Sequence, residues 1–221
     1  MPAPGLRARV DPGRLIMIPV AAIMLTLDLV ALRHGASGGA AGVLRWLATG
    51  LVCAFYLFII WCYLRRGKAA ATSGSRLAHV AAVAATAVPF AFPLLGAARA
   101  GAAQPGAGAQ LAADALLVAG TTWSVWAVRS LGRNLSVLAQ ARGLAERGPY
   151  RWLRHPLYTG ELVSALGLAI ASGTLAAAVT WAVLCLLQGY RAVSEERVLL
   201  RAVPGYQGYR RRTAALLPGL F

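Results

Sequence analysis

The side chains able to do chemistry are few in this chain, and they gather in two runs. The first is Gly148-Pro149-Tyr150-Arg151-Trp152-Leu153-Arg154-His155-Pro156-Leu157-Tyr158-Thr159-Gly160-Glu161, and the second is Tyr190-Arg191-Ala192-Val193-Ser194-Glu195-Glu196-Arg197-Val198-Leu199. They supply an imidazole, several phenols, guanidinium groups and carboxylates beside a hydrophobic wall, a combination that suits an amphiphilic substrate with a charged head and a greasy tail. Each part also has a plainer use. Arg151, Trp152, Arg154 and Tyr158 would serve as an aromatic and basic girdle at a membrane surface. His155-Pro156 would start a helix, since proline is favoured in the first turn. Arg191 and Glu195 stand four apart and would form a surface pair worth about 0.2–0.5 kcal/mol. A girdle, however, needs no fixed order, and nothing in it demands a Glu-Glu pair after the next apolar segment.

The elements that position these runs follow from composition. Of 221 residues, 58% are hydrophobic and only 13% charged, against roughly half and a quarter in a soluble domain. Such a chain cannot cover itself with polar surface, and it is too apolar to be disordered. A net charge of +15 would point to nucleic acid in a soluble protein. Here the arginines sit at the edges of apolar runs, where they orient a membrane protein, so no nucleic-acid partner is expected. Cys53, Cys62 and Cys185 all lie inside apolar runs. Their odd number and wide spacing argue against a disulfide framework or a metal site, and they read as small buried apolar residues.

Four apolar runs of about 18 residues or more predict spanning helices: Leu15 to Leu32, Trp46 to Leu64, Leu77 to Ala98 and Leu111 to Val128. The first follows Arg7, Arg9 and Arg14 but is long for the apolar part of a secretory signal, so it reads as an uncleaved anchor. Basic residues in the successive polar segments number three, two, four, one and six, the last set being Arg129, Arg133, Arg142, Arg147, Arg151 and Arg154. This alternation places the N-terminus, the second loop and the 129–160 stretch on the cytoplasmic side.

The segment Glu161 to Tyr190 settles the expected architecture. As one helix its 30 residues would reach about 45 Å, well beyond a hydrocarbon core of about 30 Å. A break at Ser172-Gly173-Thr174 offers a turn instead. The fold expected is therefore all-α and multi-pass transmembrane: four N-terminal spans over 1–128 and a C-terminal core over 129–221. In that core a helical hairpin returns to the cytoplasm and brings the two polar runs together in one pocket.

These residues resemble a family. Gly148, Tyr150, Arg154, His155, Pro156, Tyr158 and Gly160, then an apolar hairpin, then Glu195, Glu196 and Leu199, then Tyr206, Tyr209, Arg210 and a late Pro218 are similar to the C-terminal signature of the isoprenylcysteine carboxyl methyltransferases and related phospholipid methyltransferases. Those are integral membrane enzymes that use S-adenosyl-L-methionine. The resemblance implies that Tyr150, His155, Pro156, Leu157, Tyr158 and Glu195 line a cofactor pocket. It implies that Arg191, with Arg154, meets the acceptor and that Arg191, Glu195 and Glu196 form the catalytic set. The short segment Arg142-Gly143-Leu144-Ala145 would complete the cofactor site, with Arg142 where the family commonly has His. The first four spans match only in being hydrophobic.

The chemistry is compatible with such a set. Methyl transfer from a sulfonium is an in-line displacement with a neutral leaving group, so alignment and electrostatics do most of the work. A carboxylate such as Glu195 can hold the ammonium or ribose of the cofactor. A carboxylate acceptor, as in an isoprenylcysteine-like or isoprenoid-like substrate, needs no base and could be held bidentately by Arg191. An amine would first lose a proton, making Glu196 or His155 a necessary base; a thiol is the other alternative acceptor. The rival from outside enzymology is a small membrane transporter or assembly protein, which predicts no cofactor binding. Asp28 and Asp114, near span ends, suit interfacial positions at least as well as function.

Overall fold

The computed structural model describes residues 12–34, 40–65, 71–72, 75–97, 105–131, 140–141 and 144–217. Helices α1 (Pro12–His34) and α2 (Ala40–Arg65) form an antiparallel pair, followed by α3 (Arg76–Ala87), a 3-10 turn over Val88–Phe90 and the short α4 (Ala91–Ala97). Helix α5 (Ala107–Leu131) leads through a 3-10 turn at Gly148–Arg151 to α6 (Pro156–Ser172), α7 (Leu175–Ala202) and α8 (Tyr206–Arg212). The described strands are two residues each, β1 (Ala71–Thr72) pairing antiparallel with β2 (Gln140–Ala141). Among the described residues every other regular element is helical.

Packing runs from α1 through α2, α5 and α6 to α7, with α3 closing against α7 and α4 against α6. One apolar cluster joins α1, α2 and α5 through Ala21, Ile59, Tyr63 and Val128; another joins α3, α4, α6 and α7 through Ala85, Phe92, Ala165 and Leu184. Outside these clusters large apolar side chains face outward, among them Leu47, Leu57, Leu94, Leu175 and Leu186. A soluble monomer does not expose such a surface; a bilayer covers it. Among the described residues three helices are long and apolar enough to cross a membrane: Trp46–Arg65, Ala107–Leu131 and Leu175–Ala202. The protein is an integral membrane protein.

One element differs from the sequence expectation. The run Leu77 to Ala98 is not one continuous span, because it breaks at Val88–Phe90. Pro89 there has no amide hydrogen, and its ring collides with the preceding turn. The second polar run is the C-terminal half of α7, whose 28 residues run unbroken from Leu175 to Ala202, so the helix that carries Arg191 and Glu195 is also the returning arm of the hairpin. The turn itself lies where it was expected. Gly173 ends α6 in the left-handed region (φ 60°), and the Thr174 hydroxyl caps α7 by accepting from the Ala177 amide at 3.1 Å.

The α5–α6 contact is the most extensive in the fold, and three glycines, Gly120, Gly160 and Gly167, make it so. A Cβ on Gly120 would lie 2.5 Å from Ser164 N and 2.7 Å from the Gly160 carbonyl, while one on Gly160 would lie 2.8 Å from the Gly120 carbonyl. Small residues at such crossings let membrane helices approach backbone to backbone. Gly160→Ala should therefore push α5 and α6 apart and cost about 1–3 kcal/mol, the usual penalty of overpacking. A lowered melting temperature of the detergent-purified variant would register it; an unchanged melt would show that the crossing relaxes freely.

Candidate active site

Helix α6 begins at Pro156 because proline suits the first turn, where no amide donor is required. His155 is its N-cap. The approach to it, residues 152–155, is latched by the segment after α8. Arg154 N donates to the Ala214 carbonyl at 2.8 Å, His155 N to Ala215 at 3.0 Å, and Ala214 N returns a bond to Trp152 at 3.0 Å. From α8 the Tyr209 hydroxyl donates to the Tyr150 carbonyl at 2.8 Å and to that of Leu153 at 3.3 Å. Burial raises the phenols of Tyr150, Tyr206 and Tyr209 above their ordinary range, so all three stay neutral. The late aromatic and basic residues of the signature thus hold the His155 turn in place.

Antiparallel packing of α6 on α7 then builds a ladder of polar pairs. At its outer rung Arg154 Nε donates to Glu196 Oε1 at 2.7 Å, and Arg210 Nε lies 3.0 Å from Glu196 Oε2. Arg154 Nη1 also donates to the carbonyls of Arg210 and Thr213. One step in, His155 lies between the two acids, with Nδ1 3.8 Å from Glu195 Oε2 and Nε2 3.4 Å from Glu196 Oε1, although Nε2 itself makes no hydrogen bond among the described residues. The Tyr158 hydroxyl donates to Glu195 Oε1, and its ring stacks on His155 with centroids 5.4 Å apart. On the inner side of that ring the Arg191 guanidinium sits 4.5 Å from the centroid. Arg191 is 5% exposed, so Arg191 and Glu195 are not the surface pair their spacing alone would allow.

The girdle reading divides in the same way. Arg151 and Trp152 are exposed, with the guanidinium 4.8 Å over the indole, whereas Arg154 and Tyr158 are buried within the ladder. Pro156 is buried and Leu157 packs beside the α1–α2–α5 cluster. Leu144 and Ala145 are half-buried near α8, where Arg212 Nη2 donates to Glu146 at 2.7 Å. Arg142 and Gly143 lie outside the described residues.

Beyond Arg191 an apolar cavity of about 190 Å³ opens between α1, α2, α5 and α6 and the turn before α4. Its walls include Met17, Phe55, Ile59, Phe90 and Leu168, and its charged lining groups are Arg191 and Glu161. The N-terminal helices α1 and α2 therefore wall this cavity. The sequence points to these spans for substrate choice but offers no motif in them, and it assigns no role to Glu161. The signal available was its place three residues after Tyr158, on the same helix face.

Among proteins of known classification the match is regional. Residues 109–203 match the model of the phospholipid methyltransferase family. The family stretch takes in α5, the α6–α7 hairpin and all of the ladder except the α8 contacts, bearing out the resemblance read from the motifs. It is also similar to the cobalt-zinc-cadmium resistance protein CzcN of Cupriavidus metallidurans, 40% identical over 79 residues, which are 35% of this chain and 36% of that protein. The nickel-cobalt-cadmium resistance protein NccN of Alcaligenes xylosoxydans xylosoxydans is 38% identical over 79 residues, 35% of this chain and 37% of its own length. The chain thus spans little more than a third of each of these relatives.

Proposed function

We propose that this protein is an S-adenosylmethionine-dependent methyltransferase acting on a lipophilic acceptor, with its active site on the cytoplasmic side of the membrane. The observation that carries the reading is the juxtaposition of His155, Tyr158 and Glu195 across the hairpin, directly above an apolar cavity that ends at Arg191. The donor set fits the cofactor. Glu195 offers a carboxylate to an ammonium or to ribose hydroxyls, and the buried Nε2 of His155 retains hydrogen-bonding capacity. Tyr150, Pro156, Leu157 and Leu144-Ala145 would complete the pocket, with Arg142-Gly143 as the family resemblance implies. When bound, the cofactor would supply an electrophilic methyl group on a sulfonium. The residues of this chain would align it with the acceptor head, and the cavity would keep water from the reacting atoms.

In this reading Glu196 supports more than it reacts. Its contacts are with Arg154, Arg210 and His155, away from the cavity lining. The head group of the acceptor has two readings. Arg191 suits a carboxylate, as in an isoprenylcysteine-like acid, and Glu161 at the same end of the cavity favours an acceptor that arrives with a proton, such as an amine or a thiol. The test of the function itself is direct. Purified protein should bind S-adenosylhomocysteine by calorimetry and transfer labelled methyl from S-adenosylmethionine into a lipid extract. Failure to bind would favour the transporter or assembly-protein alternative.

A further inference from the structure

The polar ladder does not stop at Arg191. One turn deeper, Gln188 is 1% exposed and bonded on both sides: its Nε2 donates to Glu161 Oε2 at 2.5 Å, and its Oε1 accepts from Arg191 Nη1 at 3.1 Å. Glu161 lines the cavity, and among the described residues its other oxygen, Oε1, enters no hydrogen bond. A carboxylate held at the head of an apolar cavity costs desolvation free energy. Gln188 lowers that cost on one oxygen only, leaving the second available to whatever occupies the cavity. The cofactor-side acids cannot do this work. Neither Glu195 nor Glu196 lines the cavity, and Glu196 is held by two arginines besides.

We propose that Glu161 is the proton acceptor for the methyl-accepting atom, and that the acceptor is therefore a lipophilic amine, thiol or alcohol rather than a carboxylate. This rests on the methyltransferase reading above. In the step, a lone pair on the acceptor N, S or O forms the new bond to the methyl carbon. The methyl–sulfur bond breaks with its electron pair returning to sulfur, leaving a neutral thioether. The proton displaced from the acceptor atom goes to Glu161 Oε1. An amine that enters as ammonium gives that proton up before attack. A carboxylate acceptor has no proton to give and would meet Glu161 as a like charge.

The experiment uses the full-length protein in detergent, with labelled S-adenosylmethionine and three probes sharing one tail: farnesylamine, farnesylthiol and N-acetyl-S-farnesylcysteine. The wild-type chain should methylate the amine or thiol faster than the carboxylate probe. Glu161→Gln, which keeps the shape and the bond to Gln188, should lower kcat on that substrate by about 10²–10⁴-fold, the usual worth of a general base. Its KM and its affinity for S-adenosylhomocysteine should stay near wild type, which a folding defect would not allow, and Glu161→Asp should recover part of the rate. Preference for N-acetyl-S-farnesylcysteine, or a Glu161→Gln protein as fast as wild type, overturns the proposal. Absence of S-adenosylhomocysteine binding by the wild-type chain would remove the methyltransferase reading and this one with it.

Discussion

Glu195→Gln should weaken S-adenosylhomocysteine binding roughly ten- to a hundred-fold with little change in the melting temperature. The size follows from the type of interaction. A hydrogen bond to a charged group contributes about 1.5–3 kcal/mol, and Glu195 is the acid of the ladder that faces the proposed cofactor pocket without an arginine clamped to its oxygens. Glutamine keeps the volume and an acceptor for the Tyr158 hydroxyl, so the packing of α6 on α7 is retained while the charge is lost. Removing that charge also leaves Arg191 with Glu161 as its remaining nearby acid, which should show as a smaller secondary loss in acceptor affinity. Calorimetry with S-adenosylhomocysteine on both proteins decides the matter. Equal affinities would show that Glu195 does not hold the cofactor, and the reading of the pocket would have to move elsewhere on the ladder.

That such a test can be aimed at one side chain reflects how much of the site was legible in the chain itself. The bend at Ser172–Thr174 announced itself because an apolar run of 30 residues is too long for one crossing and a glycine interrupts it. Once the chain doubles back, residues 154–158 must meet residues 191–196. The helix start at Pro156 and the late tyrosines were readable for the same reason: each answers a local rule of backbone or hydrogen bonding. Three features were not. Pro89 breaks the third apolar run, and hydropathy alone does not register a break. Glu161 and Gln188 lie 27 positions apart, and a glutamine in an apolar run carries no charge to mark it; only the register of the hairpin pairs them. The cavity was invisible because its walls are ordinary apolar residues of α1, α2, α5 and α6, whose common property is facing one another.

Arg154→Ala should be the most damaging single change to the fold, lowering stability by about 3–5 kcal/mol, the usual cost of removing one partner from a buried ion pair. The same guanidinium serves three structural clients. It satisfies Glu196 on α7, and it donates to the carbonyls of Arg210 and Thr213 at the end of α8. Its removal leaves Glu196 with Arg210, which is about half exposed, and strips the donor from carbonyls that hold the 213–216 latch. The His155 turn should loosen as a result, so cofactor binding should fall together with stability. A drop in melting temperature on the order of ten degrees is the expected size. Arg154→Lys, which preserves the charge but not the several fixed donors, should recover only part of it. The family resemblance implies that Arg154 meets the acceptor, while its bonds to Glu196 and to the carbonyls of Arg210 and Thr213 support a clamping role. An Arg154→Ala protein that melts like wild type but shows a raised KM for the acceptor would restore the first assignment.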